Sequence, residues 1–285
     1  SLTNRFFNST SLTYDFTENL NFTYRVGFDT YTESQERKYN RGGVQGPNVI
    51  NGIYQTQIIR NSIWNHDFIF GYQKALSDDL NFSSRIGFNS RNDRFDRDGL
   101  YSEGQGVFDL FKHYNFRVAS SRSVAFGGRI LNRVTEEQRM GVYGDFSFDY
   151  KEYLFLNLAG RNDWTSTLEQ GNNSIFYPSV SVSFIPTEAF QNLESKTLNY
   201  LKFRFGFGTS AGFAPFPYGT RTFALGNSRD YADLTGAPIG SNEVDDYLGN
   251  PDLEPELQQE IELGLETKLF NNRLSLDFSV FDRST

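Results

Sequence analysis

Glu260, Glu262 and Glu266 recur at even spacing in "NPDLEPELQQEIELGLE", residues 250–266. Side chains alternate across an extended chain, so these carboxylates share one side with Gln258 and Gly264, while Ile261, Leu263 and Leu265 share the other. Paired carboxylates could cleave a glycosidic bond. Acids are plentiful here, however, and no pair stands out. A wall facing water accounts for all of them, and such a wall would bias passage toward cationic or neutral solutes.

Metal chemistry is the next possibility. "RFDRDGLYSEGQ" (94–105) has Asp96, Asp98 and Gly99 at calcium-loop spacing. Arg94 and Gln105, however, stand where the first and twelfth oxygen ligands belong. The stretch reads as a solvated acidic loop, with calcium held in another geometry by Asp93, Asp96, Asp98 and Glu103 as the alternative. The two histidines, His66 and His113, lie in unrelated contexts. His66, in "SIWNHDFIF" beside Trp64, reads as an interface residue, and both histidines read as structural. With no Cys there is neither a disulfide framework nor a thiolate metal site. "GFGTSAG" (206–212) misplaces the third glycine of a dinucleotide fingerprint and opens no helical pattern. No catalytic residue, cofactor or further metal site is expected.

The remaining chemistry is contact by flat rings. "AGFAPFPYGT" (211–220) offers Phe213, Phe216 and Tyr218 between stiffening prolines, and Trp164 heads another long connection. These rings suit stacking on sugars or peptide side chains. The alternative is an interfacial girdle or packing among loops.

The elements that position these residues are strands. "LNFTYRVGF" sets Leu20, Phe22, Tyr24, Val26 and Phe28 against Asn21, Thr23, Arg25 and Gly27; "LNFSSRIGF" (80–88), "LKFRFGFG" (201–208) and "RLSLDFSVF" (273–281) repeat the rule. Helical periodicity is not comparable anywhere. The chain carries 29 Phe and 16 Tyr among 285 residues, yet its mean hydropathy is −0.53. A sheet with one face in hydrocarbon and the other in water reconciles the two values. The net charge of −8 argues against a nucleic-acid partner. No run reaches the roughly 18 apolar residues of a membrane helix. No leader opens the chain, so an export signal is expected outside it.

Short polar turns are expected at 16–21, 76–81, 149–154 and 269–274, and long connections at about 31–62, 90–105, 161–174 and 209–256. Short turns at one end and long loops at the other are the pattern of outer-membrane barrels. Several stripes run about nine residues, the length of a tilted membrane strand. The expected fold is all-β, an antiparallel transmembrane β-barrel built from roughly 11 to 13 strands.

Residues 139–184 carry GVYGD (141–145), GRNDW (160–164), STLEQGNNS (166–174) and FYPSVS (176–181). "LNYLKFRFGFGTSAG" (198–212) and "NPDLEPE" (250–256) follow, with a hairpin after the latter. These stretches resemble the middle and late barrel of SusC/RagA-type TonB-dependent transporters; the region before about residue 135 fits only as generic barrel. The resemblance implies that residues 1–285 are part of one large plugged barrel, with the N-terminal plug and the C-terminal closing strands absent from this chain. It further implies import of oligosaccharides or peptides across the outer membrane of Bacteroidota-type bacteria. The implied partners are a SusD-like surface lipoprotein, TonB acting through the plug, and outer-membrane lipid. A passive porin and a secreted all-β adhesin are the alternatives. A barrel needs detergent for extraction, whereas a secreted domain stays in buffer.

Overall fold

The computed structural model describes all residues except 43–49, 121–123, 126–128, 191, 214–222, 233, 236–237 and 245–249. Its strands are β1 (Leu2–Asp15), β2 (Leu20–Tyr39), β3 (Ile53–Ser77), β4 (Leu80–Gln105), β5 (Phe116–Ser120), β6 (Val124–Ala125), β7 (Arg129–Ile130) and β8 (Arg133–Tyr150). They continue as β9 (Leu154–Thr165), β10 (Ser174–Phe184), β11 (Leu198–Gly212), β12 (Phe223–Ala232), β13 (Pro238–Val244), β14 (Glu256–Leu269) and β15 (Leu274–Ser284). Eleven strands form one sheet in the order β1-β2-β3-β4-β8-β9-β10-β11-β14-β15, with β5 added on β4; β12-β13 and β6-β7 form separate ladders. The pairings with recorded register are antiparallel.

All four short turns lie where expected, and backbone bonds lace them to their neighbours. The Gln73 N–H donates to Asn19 O at 2.9 Å, that of Lys151 to Asp79 O at 2.8 Å, and that of Phe270 to Thr197 O at 2.9 Å. Asn271 and Asn272 adopt left-handed backbone at φ 60° and 63°, which asparagine tolerates and tight hairpins use. The longer link from β10 to β11 is tied in the same way, by Ile185 N–H to Tyr153 O at 2.8 Å.

Two expected loops are corrected. β2 continues to Tyr39 and β3 begins at Ile53, so most of 31–62 is strand. β4 runs 26 residues through Gln105, so 90–105 is strand as well. The reason is physical. Where the buried side chains of a strand are partly polar, the alternation of hydropathy fades while backbone pairing continues.

The chain divides into two compact units, residues 1–12, 24–66 and 90–138, and residues 13–23, 67–89 and 139–285. The first has an inward core. Ile53, Tyr54, Ile59, Phe116 and Leu131 are buried together with Gln55, Gln57, Ser102 and Gln105. The Tyr54 ring lies tilted 4.5 Å from His113 and stacked 6.1 Å from Phe116.

In the second unit the apolar side chains face outward. In-register pairing from β8 to β15 lines up Phe148, Leu156, Val182, Phe205, Leu263 and Val280, and beside them Tyr150, Leu154, Phe184, Phe203, Leu265 and Phe278. Phe203, Leu263, Phe278 and Val280 remain 48%, 59%, 64% and 55% exposed. So broad an exposed apolar face needs a non-aqueous neighbour.

Candidate functional site

The opposite face of the same strands is polar. One row reads Ser147, Asn157, Ser181, Gly206 and Glu262, ending at Phe281 on β15, and the next reads Asp145, Ala159, Ser179, Gly208, Glu260 and Arg283. Glu260, Glu262 and Glu266 therefore share one face of β14, opposite Ile261, Leu263 and Leu265. Two of them meet cations. Arg283 lies 2.5 Å from Glu260. Arg204 lies 3.8 Å from Glu266 and 2.5 Å from Asp277. Gly264, which interrupts the carboxylate row in the sequence, is the gap through which Arg204 crosses β14 to reach β15. A Cβ there would fall 2.7 Å from Arg204 Nε. Glu260, Glu262 and Arg283 border a 440 Å³ hollow floored by Ser179, Ser181, Gly206 and Gly208.

A second polar cluster draws on the stretches that carry the family resemblance. Pairing sets Tyr143 beside Arg161 and Arg161 beside Tyr177, with Gly141 opposite Asp163. Arg161 Nε donates to Asp163 Oδ1 at 2.8 Å, and the Tyr177 hydroxyl donates to Asp163 Oδ2. The guanidinium lies 5.5 Å from the centre of the Tyr143 ring, within cation–π reach. Gly141 leaves room for the Arg161–Asp163 pair, and Gly87 leaves room for the Tyr143 ring. Below it, Asp145 lies 3.6 Å from Arg85 and accepts from Asn157 Nδ2 at 3.1 Å. Sequence reasoning missed this cluster. Its members lie on different strands, and the one available signal was small residues at 87 and 141, opposite large ones.

The expected ring contacts separate. Trp164 shares the parity of Leu154, Leu156 and Leu158, with Met140 and Ser174 as its strand neighbours, so it stands on the apolar side. The span from Leu154 to Trp164 matches the roughly 9–11 residues of a tilted membrane strand. Trp64 lies parallel to His66 at 6.0 Å, and His66 Nδ1 is 2.9 Å from the Tyr24 hydroxyl. Phe213 has the Arg139 guanidinium 5.8 Å from its ring centre. Phe216 and Tyr218 lie outside the described residues.

His113 serves the inward core. Its Nε2 lies 2.9 Å from Thr56 Oγ1 and its Nδ1 lies 2.8 Å from Ser102 Oγ. Burial lowers its pKa, opposed by the charge of Glu36. The acidic loop considered for calcium is corrected to strand: Asp93, Asp96, Asp98 and Glu103 all lie on β4. Asp93 is bound to Arg91 at 2.9 Å and Glu103 accepts the Tyr101 hydroxyl at 3.0 Å. Among the described residues no three His, Asp or Glu side chains gather around a common point. What the polar face offers is fixed charge and hydrogen-bonding groups along a wetted wall.

The sequence matches the family described as TonB dependent receptor-like, beta-barrel, over residues 1–285, and the chain belongs to that family. Its localisation is accordingly the outer membrane. That family consists of transporters rather than enzymes. The chain is 23% identical over 271 residues to TonB-dependent receptor P26 of Formosa agariphila, covering 92% of this chain and 26% of P26. It is 24% identical over 186 residues to TonB-dependent receptor P3 of the same organism, covering 64% of this chain and 18% of P3. The fold is similar to that in the structure of the RagAB peptide transporter, with a TM-score of 0.80, 19% identity, and coverage of 98% of this chain and 30% of that one. The chain therefore spans about a quarter or less of the length of these two curated relatives.

Proposed function

We propose that this chain is wall of an importer that takes up oligosaccharides or peptides across the outer membrane. A plug and further barrel strands would come from other parts of the polypeptide, and a SusD-like surface lipoprotein would hold substrate against the long loops. TonB, acting on the plug, would open the lumen. The observation that carries this reading is the two-sided sheet: unbroken apolar rows on one face, and hydrogen-bonding groups with neutralised charges on the other, in a fold similar to RagAB. Glu260 and Glu266, matched by Arg283 and Arg204, line the lumen, and Glu262 adds a negative charge at its hollow. Trp164 anchors the wall at the membrane interface, while Phe213, Phe216 and Tyr218 supply ring contacts to solute.

The test is uptake of labelled oligosaccharides and peptides by cells carrying the native receptor, with and without an inner-membrane uncoupler. Uptake that stops with the uncoupler supports the importer. Uptake that continues unchanged points to a passive channel and ends the proposal. The intact mass of the native polypeptide is a second check, since a mass near 32.7 kDa would leave no room for a plug.

A further inference from the structure

Many cations of this acidic chain stand against carboxylates: Arg5 by Asp29, Lys38 by Glu36, Arg94 by Glu136, Arg161 by Asp163. Arg41 and Arg117 do not. Among the described residues neither guanidinium has an ion pair or hydrogen bond, although acids outnumber bases by 35 to 27. Both line one hollow of 400 Å³, with Asn51, Glu103, Gly104 and Gln105 around them.

The hollow is built rather than incidental. The buried Gln105 accepts the Arg41 backbone N–H on Oε1 at 2.9 Å and donates from its amide to Asn40 Oδ1 at 3.0 Å. Its own N–H donates to Asn51 O at 2.8 Å. Gly52 and Gly104 take φ of +80° and +81°, which a side chain would strain. The Arg117 stem lies over Gly104, where a Cβ would come within 3.2 Å of Arg117 Cβ. Glu103, the one carboxylate of the lining, is engaged by the Tyr101 hydroxyl. Two guanidiniums against one carboxylate leave the hollow positive on a chain of net charge −8.

We propose that this hollow is an oxyanion site, taking the carboxylate or sulfate group of a solute captured from outside the cell. Planar guanidinium forks match such groups in a bidentate geometry. The importer reading enters only as the source of the solute. Neither charge nor shape separates carboxylate from sulfate here, and the experiment does so.

Binding of trigalacturonate to the full-length receptor in detergent would be followed by calorimetry at low salt, beside its neutral methyl ester. The acid is expected to bind and the ester not. Arg41→Gln and Arg117→Gln should each weaken binding about tenfold, the scale of one charged hydrogen bond, and the double variant should abolish it. Heat-shifted gel mobility checks that each variant still folds. Competition by both acetate and sulfate would identify a general oxyanion site, and competition by acetate alone a carboxylate site. Equal binding of acid and ester, unchanged affinity in the double variant, or no binding to the unaltered receptor would overturn the proposal. Loss of energised uptake with anion binding intact would sink the importer reading and leave the site standing.

Discussion

The two compact units use aromatic side chains in opposite ways. Around His113, the rings of Tyr54, Phe111 and Phe116 turn inward on one another, and polar Ser102 and Gln105 are buried with them. Across β8 to β15, the rings of Phe203, Phe205 and Phe278 turn outward, and serines, glycines and ion pairs fill the other side. The solvent makes the difference. Where water surrounds a strand pair, stability requires a small core of its own and a partner for each buried polar group. Where hydrocarbon lies on one side, burial comes from lipid, and the backbone ladder with a tolerable wet face suffices.

Substitutions can break that comparison. The largest effect is expected from Phe116→Ala, which opens a cavity in the inward core at about 3–5 kcal/mol. Limited proteolysis of the intact receptor should then cut within residues 90–138, while detergent-extracted material keeps its heat-shifted gel mobility. Cleavage spread evenly along the chain would mean that the inward core is not a separate unit. Leu263→Arg places a base on the lipid face at a cost of about 2–4 kcal/mol. It should lower the fraction inserted into vesicles, leaving the 90–138 segment as protected as before. If insertion is unaffected, the apolar rows do not face lipid.

Acid sharpens the contrast. Burial holds His113 below its ordinary value of 6.5, against the pull of Glu36. The unfolded chain then binds more protons than the folded one between the lowered pKa and 6.5. The stability His113 contributes is thus full above about pH 6.5 and lost as pH falls through that value toward the lower one. Hydrogen-exchange protection factors at Thr56 and Ser102, corrected for the intrinsic pH dependence, should fall over this window, unlike those at Leu156 and Val182, and His113→Gln should remove the step. The smallest effect is expected from Glu260→Gln, whose partner Arg283 is more than half exposed. Such pairs contribute under about 1 kcal/mol. A loss several times larger, seen in denaturant unfolding, would show that the wall depends on its charges rather than on its ladder.

Some of this was legible from the residues. The alternation through 20–28, 201–208 and 273–281 marked strands, their lipid side, and the short turns between them. It also put Glu260, Glu262 and Glu266 on one wet face. The strand extensions at 31–39 and 90–105 were not legible, because even the buried side chains of 90–105 (Arg97, Ser102 and Gln105) are polar, and hydropathy there no longer tracks the pleat. The Tyr143–Arg161–Asp163–Tyr177 cluster was equally hidden, since register between three strands, not spacing along one, brings its members together.

Sequence alone therefore determined what depends on neighbours two residues apart: which segments are strands, which side is apolar, and where the tight turns fall. Tertiary structure decided what depends on residues tens of positions apart. It turned Trp164 to the apolar side, passed Arg204 over Gly264 to Asp277, and set Arg41 and Arg117 on one hollow. The physical reason is that pleat parity is a local backbone property, while register and loop closure are set by backbone pairing between distant segments.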